Sequence, residues 1–184
     1  MQNIKDSDKR LEELIVYISA QCSDHALFGS IKLNKILFFS DFLFYQAYGR
    51  SITGAEYQKL EHGPAPRRML PALTKLQNDS SIVMKAKHVI VGGASRQQKR
   101  SVAQRDPDLS LFHVDELAFV DLIISGLQHD SASAVSDKTH DHLGWRLASM
   151  NETIPYEAAF LATGSDALSA DDIAAGEKLR ASLQ

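Results

Sequence analysis

The residues of this 184-residue chain that invite metal or proton chemistry are its seven histidines, one cysteine and an aspartate set inside an apolar run. The densest histidine group is His140-Asp141-His142, with His129 and His62 as distant additions. On a helix, residues two apart point about 200° from each other, so this pair converges poorly on one ion. Neither an HExxH nor a paired CxxC pattern is present, and no metal or other cofactor is expected. His140 reads more simply as a buried ring whose nitrogens bond a backbone carbonyl or the Ser136 region one turn earlier. Asp41 lies within Ile36 to Phe44, where burial could shift its pKa toward proton transfer. The alternatives are pairing with a lysine or capping a neighbouring segment. Gly92-Gly93 lacks a following Gly-Lys-Ser and joins two strand-like runs, unlike a phosphate loop. No serine sits in a nucleophile elbow. These residues assign no catalytic group, and the chain reads as a non-enzyme.

The elements that must position these residues centre on one helix. Leu33, Ile36, Leu37, Leu43, Phe44 and Ala47 follow helical spacing, and Phe38, Phe42 and Tyr45 form a second stripe. A helix apolar on two faces is central to a fold. Its wet or paired edges are Asn34 with Asp41, and Lys32 and Lys35 with Gln46. Ser30 is a candidate cap, and Gly49 can take the left-handed conformation that stops the last turn. A first helix is expected from about Ser7 or Asp8, burying Leu11, Leu14, Ile15 and Ile18. Residues 56–61 form a short extended segment that ends at Gly63-Pro64. A third helix is expected over 66–78, with Pro71 in its first turn. Strands over 82–91 and 99–105 flank the loop 92–95, and helices follow over 114–127 and 131–143 and from Pro155. The tail 169–183 is helix-compatible but carries few large aliphatics. The expected fold is α+β, mainly α: a single domain over 1–184 with a small antiparallel β-hairpin or sheet between N- and C-terminal helices, and a helical tail over 165–184.

Several stretches together resemble a known family. Leu33-Asn34-Lys35-Ile36-Leu37, Tyr48-Gly49-Arg50, Thr53-Gly54-x-x-Tyr57 and His62-Gly63-Pro64-Ala65-Pro66 resemble the Panacea domain of SocA-like antitoxins, which is also found in phage-associated proteins. Farther on, Ser133-x-x-Ser136-x-x-Thr139-His140, Trp145 and Ile154-Pro155-Tyr156-Glu157-Ala158-Ala159 resemble its closing segment, so the likeness runs over about 11–161. It implies the antitoxin of a toxin–antitoxin system, which neutralises a cognate toxin by direct protein–protein binding. These motifs specify a scaffold more than a target, so Leu37, Phe38, Leu60 and Trp145 are expected in the interior and Gly63-Pro64 at a corner leading into a helix.

Composition bounds the rest. With 44% hydrophobic residues the chain can bury a sizeable core. The lone Cys22 excludes an internal disulfide, fits a reducing cytoplasm and reads as an inert small hydrophobe. MQNIKDSDKR has no apolar stretch of a signal peptide, and no run approaches the ~20 residues that span a bilayer, so a cytoplasmic, non-membrane protein is expected. Charge is unevenly spread. Residues 65–105 hold nine Lys and Arg against one acid, whereas 106–184 hold fourteen acids against four bases. That polarity points to a basic partner-facing surface of Arg67, Arg68, Lys85, Lys87, Arg96, Lys99 and Arg100, with Lys32, Lys35 and His62 as further candidates. The plainer alternative is a solvated face. A winged-helix reading as a DNA-binding transcriptional regulator, with helices, a short strand and a basic hairpin on promoter DNA, is the runner-up, and an enzyme of unrecognised type comes third. The pI near 6.1 and the acidic C-terminal portion weigh against general nucleic-acid affinity.

Overall fold

The computed structural model describes residues 4–91 and 93–161. The chain begins with α1 (Ile4–Gln21) and α2 (Ser30–Tyr48), and passes through the short strands β1 (Tyr57–Leu60) and β2 (Gly63–Pro66) into α3 (Met69–Asn78). The long strands β3 (Ile82–Val91) and β4 (Ala94–Ala103) follow. Then come α4 (Val114–Leu127), α5 (Ala132–His140), α6 (Leu143–Leu147), β5 (Thr153–Ile154) and a 3-10 turn at Tyr156–Phe160. The fold is α+β and mainly helical. No helix among the described residues is long and apolar enough to cross a membrane.

Helix α2 is the axis because its apolar residues occupy more than one face. Leu33, Ile36, Leu37, Phe38, Phe42 and Phe44 are all buried on it. Helix α4, the β1–β2 hairpin, α5 and the 3-10 turn all pack against it. Its end matches expectation: Gly49 lies at φ 69° and its N–H donates to Tyr45 O. Its start does not, since Gly29 occupies the cap and the Ser30 hydroxyl instead donates to Lys99 O at 3.0 Å. Helix α1 buries every residue from Leu11 to Ser19, and starts upstream of the expected Ser7 or Asp8, whose Asp8 carboxylate pairs with Arg68 instead.

Two antiparallel sheets form. β1 is central in the first, pairing with β2 and β5, and β3 and β4 make the second alone. Gly63-Pro64 therefore sits in a strand at a tight hairpin, and α3 starts at Met69 rather than at Pro66, with Pro71 in its first turn. In the second sheet Val91 pairs with Ala94, so β4 begins well before Lys99. The polar run Ser95–Arg100 hid that strand, because it lacks the apolar alternation that marks a half-buried strand. In a winged helix the short strand would join the hairpin sheet; here the two lie in separate sheets. The expected helix over 131–143 divides after His140, where His142 Nδ1 accepts from Gly144 N–H and starts α6. Leu37 and Phe38 are fully buried, whereas Leu60 and Trp145 are only half-buried. The expected tail over 165–184 lies outside the described residues.

Candidate functional site

Three of the cations expected at a partner surface lie inside instead. Lys32 and Lys35 are each 2% exposed. Lys32 Nζ donates to Leu127 O at 3.0 Å and Gln128 O at 3.2 Å, capping the C-terminal end of α4 where unpaired carbonyls carry partial negative charge. Lys35 Nζ donates to His62 O and Pro64 O at the β1–β2 hairpin. Arg100, also buried, donates through Nη2 to Cys22 O and Ser23 O just past α1, with its guanidinium over the Phe28 ring. A buried cation is tolerated only where carbonyls replace its water, and each of these finds two. Charge counting cannot distinguish such a cap from a surface cation. Burial lowers the pKa of Lys32 and brings that of Lys35 to about 7.

The rest of the basic segment divides. Half-buried Arg67 donates to Gln58 Oε1, Asn151 O and Thr153 Oγ1, fastening β5 to the hairpin. Arg68 pairs with Asp8 at 3.0 Å, Lys75 with Glu12 at 2.5 Å and Arg105 with Glu13 at 2.6 Å. Lys85, Lys87 and Lys99 remain exposed, and no ion pair reaches them among the described residues. Arg96 stands opposite Val89 in the same hairpin arm, and its side chain lies outside the described set. The basic surface is thus the β3–β4 arm.

Beside that arm a cleft of about 810 Å³ opens between β4, the N-terminal turn of α2, α5 and exposed His62. Its α5 wall carries Ser133, Ser136 and His140, positions three and four apart that share one helix face. Thr139 of the same motif turns inward against Gly63, where an added Cβ would collide with Lys35 Nζ and lie 2.7 Å from Thr139 Oγ1. The family-like motif therefore serves the interior with one residue and the cleft with three. His140 departs from the expected bonded ring. It stacks on Trp145, with centroids 4.1 Å apart and planes at 19°, and its Nε2 is buried without a partner. Trp145 donates from Nε1 to Leu60 O and takes Lys59 Nζ 4.4 Å from its ring centroid. Gln98 Oε1, another cleft residue, is also buried and unpartnered. Sequence reasoning missed Gln97, Gln98 and Ser131 as cleft residues, since nothing in their types marks a wall assembled from distant segments.

Asp41 is not part of this cleft. It is fully buried and accepts from Thr53 N at 2.7 Å, Thr53 Oγ1 at 2.5 Å and Tyr57 OH at 2.7 Å, so it caps the neighbouring loop without a lysine. Burial raises its pKa, and these donors oppose the rise. Burial likewise pushes the Cys22 thiol up to about 12, in keeping with an inert role. His142 packs its ring edge-on against Phe38 and Phe42, and burial lowers its pKa. Among the described residues no three His, Cys, Asp or Glu side chains gather as a metal set would.

The result is a mainly helical α+β scaffold with a polar cleft beside a basic arm. Residues 33–146 match the family described as antitoxin SocA-like, Panacea domain, and the chain belongs to that family. The match is narrower at both ends than the likeness read over 11–161. No curated protein and no solved structure matches the chain.

Proposed function

We propose that this protein is the antitoxin of a toxin–antitoxin pair, neutralising a cognate toxin in the cytoplasm by binding it rather than by chemistry. The family match over 33–146 carries this reading. The distribution of polar groups agrees with it: buried Lys32, Lys35 and Asp41 are held by bonds within the fold, and Lys85, Lys87 and Lys99 stand exposed on the β3–β4 arm. The surface offered to the toxin is the arm with the adjoining cleft, and the complementary toxin surface is acidic.

The test is co-expression with the product of the adjacent gene. Growth arrest by that product alone, relieved by this protein, is the expected result; absence of any relief overturns the proposal. The charge-reversed variant Lys85→Glu, Lys87→Glu, Lys99→Glu should fold normally, associate about tenfold more slowly at low salt, and approach the parent as salt rises, because exposed charges steer encounter within about a Debye length. Relief of arrest by the variant equal to the parent's, with unchanged association rates, would take the arm out of the interface. The same variant tests the second reading. If the arm instead contacts promoter DNA, its loss lowers the salt slope of DNA binding by about one unit per phosphate contact removed and leaves toxin relief intact.

A further inference from the structure

The β3–β4 register fixes which way each backbone group on β4 points. Gln104 N–H donates to Ser81 O at 2.9 Å, immediately below the ladder that pairs Ile82 with Ala103. Hydrogen-bonded and non-hydrogen-bonded pairs alternate along an antiparallel ladder. Residues 102, 100, 98 and 96 therefore bond to β3, and residues 101, 99, 97 and 95 turn both N–H and C=O away from it. Independent contact geometry agrees: the carbonyl of Lys99 is the one that accepts from Ser30 on the far side. At Ser101 the strand packs on α1, its buried hydroxyl 2.6 Å from that of Ser19. Beyond the Lys99 carbonyl, which Ser30 takes, the edge continues through Gln97 to Ser95, and Gln97 to Lys99 line the cleft. Among the described residues no hydrogen bond reaches the N–H of Gln97 or Lys99 or the carbonyl of Gln97.

We infer that this free edge of β4 accepts an extended segment of the partner protein as an added strand, seated in the cleft between the arm and α5. The inference rests on the antitoxin reading and names its contact. An unpaired edge is a template for a further strand, and backbone bonds supply affinity while alternate side chains meet pockets. Residues 95–99 offer room for about five partner residues, or roughly 16 Å at the rise of a strand. The α5 wall opposite the edge holds the buried, unpartnered His140 Nε2 beside Ser133 and Ser136, and β4 itself contributes the buried, unpartnered Gln98 Oε1, groups that suit hydroxyl or amide side chains on the inward-facing positions of the segment. The exposed Lys99 stands on the edge strand, Lys85 and Lys87 follow one strand away on β3, and Asp137 is the one acid among the cleft-lining residues, so the segment carries carboxylates on its outward positions.

Amide hydrogen exchange on the complex with the adjacent gene's product tests this directly. The N–H groups of Gln97 and Lys99 should slow by about a hundredfold or more on binding, while that of Gln98, already bonded to β3, changes little. A second variant pair separates backbone from side chain. Gln97→Pro removes an outward donor that β3 does not use, and should weaken binding about tenfold or more, whereas Gln97→Ala stays within about threefold of the parent. If the toxin is bound and neutralised while both amides exchange as in the free protein, the added-strand contact is wrong and the antitoxin reading survives. The contact is also wrong if these amides are already protected in the free protein and equilibrium sedimentation finds a dimer, because a second copy then covers the edge. Failure of any neutralisation sinks the antitoxin reading and this inference with it. Should Gln97→Pro prove unfolded by circular dichroism, the exchange result on the parent decides.

Discussion

Lys35 shows how a residue chosen for a partner can serve the fold. Its ammonium lies under the β1–β2 hairpin, held by His62 and Pro64 carbonyls, and burial brings its pKa to about 7 from an ordinary 10.5. Between those values the unfolded chain binds the proton and the folded one releases it, so this group makes stability rise with pH across the window. Relative to Lys35→Met, the parent should gain stability between pH 7 and 9 by up to about 1.4 kcal/mol per pH unit, read by urea denaturation at each pH. A constant difference between the two proteins would place the pKa outside that window. Asp41 is the complementary case. Asp41→Ala strands three buried donors, at about 1–3 kcal/mol each, and should cost at least about 3 kcal/mol in denaturant unfolding. Toxin affinity per folded molecule should stay unchanged, because the carboxylate does not reach the cleft.

Among the elements, the β1–β2 hairpin is the tightest joint. Gly63 lies at φ 98°, which L side chains rarely adopt, and has no room for a Cβ beside Lys35 and Thr139. Gly63→Ala should therefore lower stability by about 2 kcal/mol or more in thermal or urea unfolding, with a larger cost than an alanine at exposed Gly93 in the arm turn. Helix α2 gives the packing counterpart. Phe38 is fully buried and meets Phe39, Phe42, Tyr57 and His142, so Phe38→Ala should cost about 3–5 kcal/mol. A variant that melts like the parent but no longer relieves toxicity would contradict a scaffold role for this ring. The strand β4 was only partly legible: its apolar end is short, and Ser95 to Arg100 look like loop until the partner strand is known.

At the scale of the whole molecule, sequence periodicity and the family-like motifs carried the mainly helical α+β fold, the central place of α2 and the stop at Gly49. These are local matters: helical spacing, turn chemistry and a glycine's permitted angles are written in neighbouring residues. Which charges face a partner was not local. Lys32, Lys35 and Arg100 read as surface cations in the chain, yet each sits where the end of a helix or the hairpin brings two carbonyls within reach of its nitrogen. Lys85 and Lys87 belong to the same charge run and stay in water, on the exposed stretch of β3. The cleft is likewise assembled from β4, α2, α5 and His62, segments far apart in sequence. Composition and spacing determine which elements can form. Only their packing decides where a backbone carbonyl meets a lysine, and so which polar groups remain for a partner.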